Sequence, residues 1–120
     1  MTASLEGRVF APEADQSPGQ VGTATRFRYR EREGRIWADY AGGDIERGSL
    51  VGTRVGDRAD FRYVQLRTDG TTASGHCVSE ITELPDGRLR MAESWHWESR
   101  TGSGTSVVVE LPGEEPGGAV

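Results

Sequence analysis

The sequence predicts an all-β protein, an antiparallel meander of about eight strands closed into a small barrel. Two observations carry this prediction: successive segments alternate apolar and polar residues with the two-residue period of a strand, and hairpin-type turn residues separate them at short intervals. No segment of ordinary helix length carries a helical apolar stripe. Closure is expected because it removes the exposed edges of an open meander. A two-sheet sandwich is the main structural alternative.

The elements are expected in a fixed order along the chain. A short strand near residues 7–10 precedes a loop over residues 11–24 that is rich in Pro, Gly and Gln, and alternating strands follow at 26–31, 35–40, 59–67, 71–81, 89–98 and 105–111. The segment 44–54 breaks the alternation, because Ile45 and Leu50 fall on opposite faces. A bulge at Gly48 would reconcile them. Residues 112–120 are expected to form a disordered tail, which leaves one barrel domain over residues 1–111.

Strict alternation also predicts which side chains enter the barrel, since successive strand residues point to opposite faces. The expected inward set is Phe27, Tyr29, Tyr40, Phe61, Tyr63, Met91, Glu93, Trp95 and Trp97. The expected outward set is Arg26, Arg28, Arg30, His96 and Glu98.

Composition limits the classes of function. The formal net charge of -5 argues against a nucleic-acid partner, and no segment resembles a signal peptide or a membrane span. A single cysteine, Cys77, excludes an internal disulfide and favours a reducing cytoplasm. All 14 basic residues are arginine, so Schiff-base and Walker-type lysine chemistry is excluded. Two histidines and one cysteine lack the spacing of a zinc site, and no metal or cofactor is predicted.

The strand 89–98 contains the leading candidate for chemistry. Glu93 lies between Met91 and Trp95 on a face that is otherwise apolar and aromatic. A carboxylate on a buried face is costly unless something pairs with it. Glu93 is therefore either a structural group, paired with an arginine or a tyrosine, or an acid–base group whose pKa is raised by burial beside Trp95.

Aromatic and polar residues on the same inward faces are the candidates for holding a small ligand. They are Tyr29, Tyr40, Phe61, Tyr63, Gln65, Cys77, Trp95 and Trp97. The competing interpretation for each is an ordinary core residue. Cys77 is expected to be inert, and it cannot pair with its neighbour His76, because adjacent strand residues face opposite ways. Glu110 is a weaker candidate for a second inward carboxylate, with a surface role preferred.

Several motifs together resemble a known family. They are Phe27-x-Tyr29, the segment from Ile36-Trp37-Ala38 to Gly52, Phe61-Arg62-Tyr63, Gly75-x-Cys77-x-Ser79, Asp86-Gly87-Arg88-Leu89, Glu93-x-Trp95-x-Trp97 and Gly104-x-Ser106. This pattern is similar to that of small uncharacterised bacterial proteins often labelled "N-acetylglutamate synthase-like", which look like short avidin-like or calycin-like barrels. The label conflicts with the sequence, which lacks the pyrophosphate-binding loop that acetyl transfer from acetyl-CoA requires. The residues with which avidins hold biotin are not matched, so biotin is not implied.

Three functions are compatible with this sequence. The first is a barrel that binds a small, partly apolar organic ligand. The second is a cofactor-independent cyclase, isomerase or dehydratase, of the kind found in secondary metabolism, with Glu93 as its acid–base group. The third is a structural protein with a filled core. An open cavity with Glu93 paired to arginine would favour binding, and an unpaired Glu93 facing the cavity would favour catalysis. The sequence does not decide whether the protein forms a homodimer. It also does not assign a role to the outer row of arginines, Arg26, Arg28 and Arg30.

Overall fold

The computed structural model describes residues 3–13 and 22–112, and all strands named here lie within them. In chain order they are β1 Val9–Pro12, β2 Arg26–Arg32, β3 Arg35–Gly42, β4 Ile45–Val55, β5 Arg58–Arg67, β6 Thr72–Glu83, β7 Leu89–Trp97 and β8 Ser103–Glu110. Each strand pairs antiparallel with the next, and β8 pairs with β1, so the sheet is closed. The predicted barrel is confirmed and the sandwich is excluded. No helix that could span a membrane occurs in residues 3–13 or 22–112.

Two short turns show why the chain folds back where the sequence predicts. Glu33 and Gly34 connect β2 to β3 with φ values of 52° and 76°. Positive φ at both central residues defines the turn whose twist matches that of a two-stranded hairpin. Gly56, with φ of 59°, opens the turn between β4 and β5. These turns set the register in which the alternating residues meet across strands.

The first strand lies two residues later than predicted, at Val9–Pro12 instead of 7–10. Residues 11 and 12 belong to β1 and not to the predicted loop, because Ala11 and Pro12 pair with β8. A proline is tolerated at this strand end, where its missing N–H interrupts the ladder least. Within the predicted loop, residues 14–21 lie outside the described residues, as do residues 113–120 of the predicted tail.

The irregularity of β4 lies at Glu46, so the bulge predicted at Gly48 is wrong. The pairing with β5 advances by two residues on β4, from Ile45 to Arg47, for one residue on β5. Gly48 keeps regular pairing and faces inward, where a Cβ atom would lie 2.3 Å from a ring carbon of Tyr40. This glycine is therefore required by a close aromatic contact, while the bulge restores the phase of Ile45.

One end of the barrel is filled by an ion pair beneath the N-terminal segment. Arg54 donates from Nη1 to Glu31 Oε1 at 2.9 Å and to the Ala3 carbonyl at 2.8 Å. Its Nε donates to the Gly56 carbonyl at 2.9 Å. Glu31 also accepts the backbone N–H of Leu5 at 2.8 Å, and Leu5 is fully buried. Both charges of this buried pair are hydrogen-bonded, as a low-dielectric site demands.

Replacing Arg54 tests whether its ion pair with Glu31 stabilises this end of the barrel. We expect Arg54→Met to destabilise the protein by roughly 3–5 kcal/mol, because the Glu31 carboxylate then stays buried without its cation. The control is Arg62→Met, because the Arg62–Glu98 pair is solvent-exposed and its loss should change stability little. Urea denaturation of both variants and the wild type measures the difference. Equal losses for the two variants would contradict the role of Arg54.

Candidate ligand-binding cavity

The predicted strand phase is confirmed by the burial of the aromatic residues. Phe27, Tyr29, Tyr40, Phe61, Met91, Trp95 and Trp97 are buried, while Tyr63 and Glu93 are partly buried. Arg28, Arg30, His96 and Glu98 are exposed, and Arg26 is half-buried at the start of β2. The alternation along each strand therefore places one continuous aromatic face inside the barrel.

These inward side chains line a cavity that is open to solvent on one side. Its void is about 460 Å³ with the open mouth included, of which about 50 Å³ can be occupied by the centre of a water-sized sphere. The walls are formed by Phe27, Tyr40, Leu50, Phe61, Tyr63, Gln65, Cys77, Glu93, Trp95 and Trp97. A space this narrow holds a few water molecules or a small organic group.

All but one of the residues proposed from the sequence line this cavity. The exception is Tyr29, which is fully buried and packs edge-on against Phe10 with ring centroids 5.3 Å apart. Two lining residues, Phe27 and Leu50, were not proposed as site residues. Phe27 stacks on Tyr40 with a centroid distance of 4.6 Å. Both lie on inward faces, so alternation was the signal that could have identified them.

Glu93 lies at the centre of β7, between two serines on the neighbouring strands. The register places Ser79 of β6 and Ser106 of β8 directly opposite it. Each serine hydroxyl donates to one carboxylate oxygen at 3.2 Å. Within residues 3–13 and 22–112, Glu93 has no arginine partner, and no arginine lines the cavity. The structural alternative, in which Glu93 pairs with an arginine or a tyrosine, is not found among the described residues, and two serine hydroxyls are its partners instead.

The environment of Glu93 changes its acidity. Burial raises its pKa from 4.5 to about 7, and the hydrogen bonds from Ser106 and Ser79 offset part of that rise. Desolvation dominates because two hydroxyl groups replace only part of the lost hydration. At neutral pH the group is therefore present in both its protonated and its ionised form.

The other ionisable groups of the cavity stay protonated at neutral pH. Burial raises the pKa of the Tyr40 and Tyr63 hydroxyls, with nearby acidic groups, Glu93 among them, adding to the shift. Burial and then the charge of Glu93 also raise the pKa of the Cys77 thiol. A thiol held protonated is a poor nucleophile, so Cys77 offers bulk and polarisability to the wall and little reactivity.

Two polar groups, the Gln65 amide and the Tyr63 hydroxyl, lie in the wall of the cavity. The Tyr40 hydroxyl donates to Gln65 Oε1 at 2.8 Å, which fixes the orientation of the Gln65 amide. The Tyr63 hydroxyl lies over Gly75, where a Cβ atom would come within 2.4 Å of it. That hydroxyl forms no hydrogen bond to another described residue. It is therefore available to a bound molecule.

The remaining charged candidates lie away from this cavity. Glu110 accepts from Arg8 Nη1 at 2.6 Å and from the Leu89 N–H at 2.9 Å, as a structural anchor of strand ends. His76 contacts Asp60 at 2.6 Å on the outer surface. Within the described segments, no cluster of three or more His, Cys, Asp or Glu side chains is arranged to hold a metal ion.

The raised pKa of Glu93 makes a prediction about stability and pH. The folded state binds this proton more tightly than the unfolded chain, so the resulting stabilisation is complete below about pH 4.5 and is lost as the pH rises through about 7. The loss is roughly 3 kcal/mol at most. Glu93→Gln removes this titration, so the variant should lose less stability than the wild type over this range. Urea denaturation at a series of pH values measures it, and parallel curves for the two proteins would contradict the burial of the charge.

Comparison with known proteins agrees with this architecture. A family model described as "Avidin-like protein" matches residues 3–111. Searches of curated proteins and of solved structures found no match. The match supports an avidin-like barrel and gives no support to the synthase label. Such a family suggests a barrel that binds a small molecule. Because the match covers nearly the whole chain, this protein belongs to the avidin-like family.

Proposed function

We propose that this protein binds a small, partly apolar organic molecule inside its barrel. The observation that carries the proposal is a cavity with aromatic walls around one carboxyl group, Glu93, whose only partners in the described segments are two serine hydroxyls. Ligand sites are typically apolar pockets with a few well-placed polar groups. Membership of the avidin-like family supports the same function.

The polar groups would fix the orientation of that molecule. A carboxylate has about four lone-pair sites, and two of those on Glu93 are occupied by Ser79 and Ser106. The Tyr63 hydroxyl supplies a further donor or acceptor across the cavity. The apolar part of the ligand would lie against Trp95 and Trp97, whose ring centroids are 5.5 Å apart.

An enzyme on the same cavity is the second candidate. On the geometry of Glu93 alone, an unpaired carboxyl group facing the cavity is the arrangement that favours catalysis over binding, and a pKa of about 7 suits it to proton transfer at neutral pH. It would serve a cofactor-independent cyclase, isomerase or dehydratase. Binding nevertheless ranks first, because the avidin-like family suggests a ligand-binding barrel and because Cys77, Tyr40 and Tyr63 are held protonated and supply no second base. A lone acid–base group without a second reactive group gives an incomplete catalytic set.

The proposed partners are this small organic ligand and a second copy of the chain, with no nucleic acid. Avidin-like proteins often form oligomers. On the outer face of β3–β5, Trp37, Val51 and Val64 are 39%, 64% and 51% exposed, and Trp37 pairs across strands with Val51. Such apolar side chains suit a homodimer contact. A buried free thiol at Cys77 is compatible with the cytoplasmic location that we propose.

Replacing Glu93 tests the binding function. Tryptophan quenching first identifies ligands from a set of small aromatic and polyketide-like compounds. Glu93→Gln should then stay folded and bind those ligands more than about tenfold more weakly, because a hydrogen bond to a buried charge contributes roughly 1.5–3 kcal/mol. Glu80→Gln, on the exposed face of β6, is the matched control and should bind as the wild type does.

The outcomes of this experiment separate the three functions. If Glu93→Gln loses only thermal stability and binds as tightly as the wild type, Glu93 has a structural role alone. If NMR shows that the wild type converts a ligand to a product and Glu93→Gln does not, the protein is an enzyme and the binding function is rejected.

The homodimer is tested at Trp37. Trp37→Glu should shift the protein from dimer to monomer in light scattering, because a charge desolvated in an apolar contact is costly. Trp37→Phe keeps the apolar surface and should leave the dimer in place. A wild-type protein that is monomeric at about 100 μM would remove the proposed contact.

A further inference from the structure

We propose that the ligand group held against Glu93 is a small organic ammonium, either a protonated amine or a quaternary nitrogen. This inference rests on the proposed binding function and assigns the chemical class of its ligand. It joins two observations: the cavity wall is rich in aromatic rings, and its one carboxyl group has no cationic partner among the described residues.

The aromatic rings surround the cavity at several angles. Trp95 and Trp97 are tilted by 60°, and Tyr63 meets Trp97 at 62° with centroids 5.9 Å apart. Phe27 and Tyr40 form a stacked pair in the same wall. Each ring carries negative electrostatic potential on its faces, so a group of rings at different angles attracts an alkylated cation from several sides.

Arg100 already lies over the ring of Trp97. The guanidinium carbon of Arg100 lies 5.9 Å from the centroid of the Trp97 ring. Arg100 is exposed and does not line the cavity. One ring of the wall, that of Trp97, therefore already has a cation over it, while the interior carboxyl group has none among the described residues.

The charge inside the cavity selects against the other ligand classes. An anionic group would meet Glu93 and no cation of the wall, and a neutral apolar ligand would bind only to the protonated form of Glu93, because it would leave the ionised carboxylate further desolvated. An ammonium group supplies the missing positive charge. Where it carries N–H groups, these also fill the acceptor sites that Ser79 and Ser106 leave open.

Binding of a permanent cation should therefore depend on the protonation of Glu93. Burial raises the pKa of Glu93 to about 7, so the proportion of the ionised form, which attracts a cation, increases with pH through this region. The other titratable groups facing it are Tyr29, Tyr40, Tyr63 and Cys77, which stay protonated because their pKa values are also raised. Asp60 and Glu98 are more distant acidic groups that act on Cys77 and Tyr63.

The test compares a cation with its neutral carbon analogue. Choline and 3,3-dimethylbutan-1-ol have the same shape and differ in one atom, nitrogen or carbon. Binding is measured by tryptophan fluorescence in the Trp37→Phe background, which leaves Trp95 and Trp97 as the reporters. We expect choline to bind roughly tenfold or more tightly, because it gains both the carboxylate and the ring faces.

The dependence on Glu93 and on pH completes the experiment. The preference for choline should grow between about pH 6 and about pH 8; in Glu93→Gln it should lose this pH dependence and fall to the smaller contribution of the ring faces, while Glu80→Gln keeps both. Equal affinity of the wild type for choline and its carbon analogue would overturn the ammonium assignment and leave the binding function intact. Failure of these two probes and of the wider aromatic set to bind would reject the binding function itself.

Discussion

Closure of the barrel between β1 and β8 is the constraint on which the rest of the structure depends. Although β1 has only four residues, Phe10, Ala11 and Pro12 pair with β8, and Phe10 also pairs with β2. Once the sheet is closed, each strand has one face inside and one outside. A slip of one residue in β2 would exchange Tyr29 for Arg28 in the interior. The aromatic residues therefore fix the register as well as filling the core.

Two inward carboxyl groups, Glu31 and Glu93, have different partners inside the barrel. Glu31 is paired with Arg54 and with the N–H of Leu5, so its charge is balanced where the barrel is filled. Glu93 receives only hydroxyl groups, and burial raises its pKa to about 7. An apolar residue at position 93 would avoid that desolvation. An incompletely paired carboxyl group beside a cavity is instead typical of a site that meets a ligand.

The sequence was sufficient for the fold and the inward faces because alternation and turn residues act locally. It was insufficient where tertiary packing decides. Ile45 and Leu50 require a phase change between them, but a bulge at Gly48 or at Glu46 satisfies the pattern equally. The close contact of Tyr40 with an inward-facing Gly48 keeps Gly48 in regular pairing and places the bulge at Glu46. The serine partners of Glu93 likewise follow from strand register, which depends on the geometry of the connecting loops.

The two candidate functions place opposite demands on Glu93. Proton transfer near neutrality is most efficient when the pKa of the group stays near 7. A cation bound beside the same carboxylate stabilises its ionised form and lowers that pKa, which weakens it as a base. A cavity with one titrating group near neutrality, and with Cys77, Tyr40 and Tyr63 held protonated, offers no second base to compensate. Recognition of an ammonium ligand is therefore consistent with a binding protein and unfavourable to acid–base catalysis at this site.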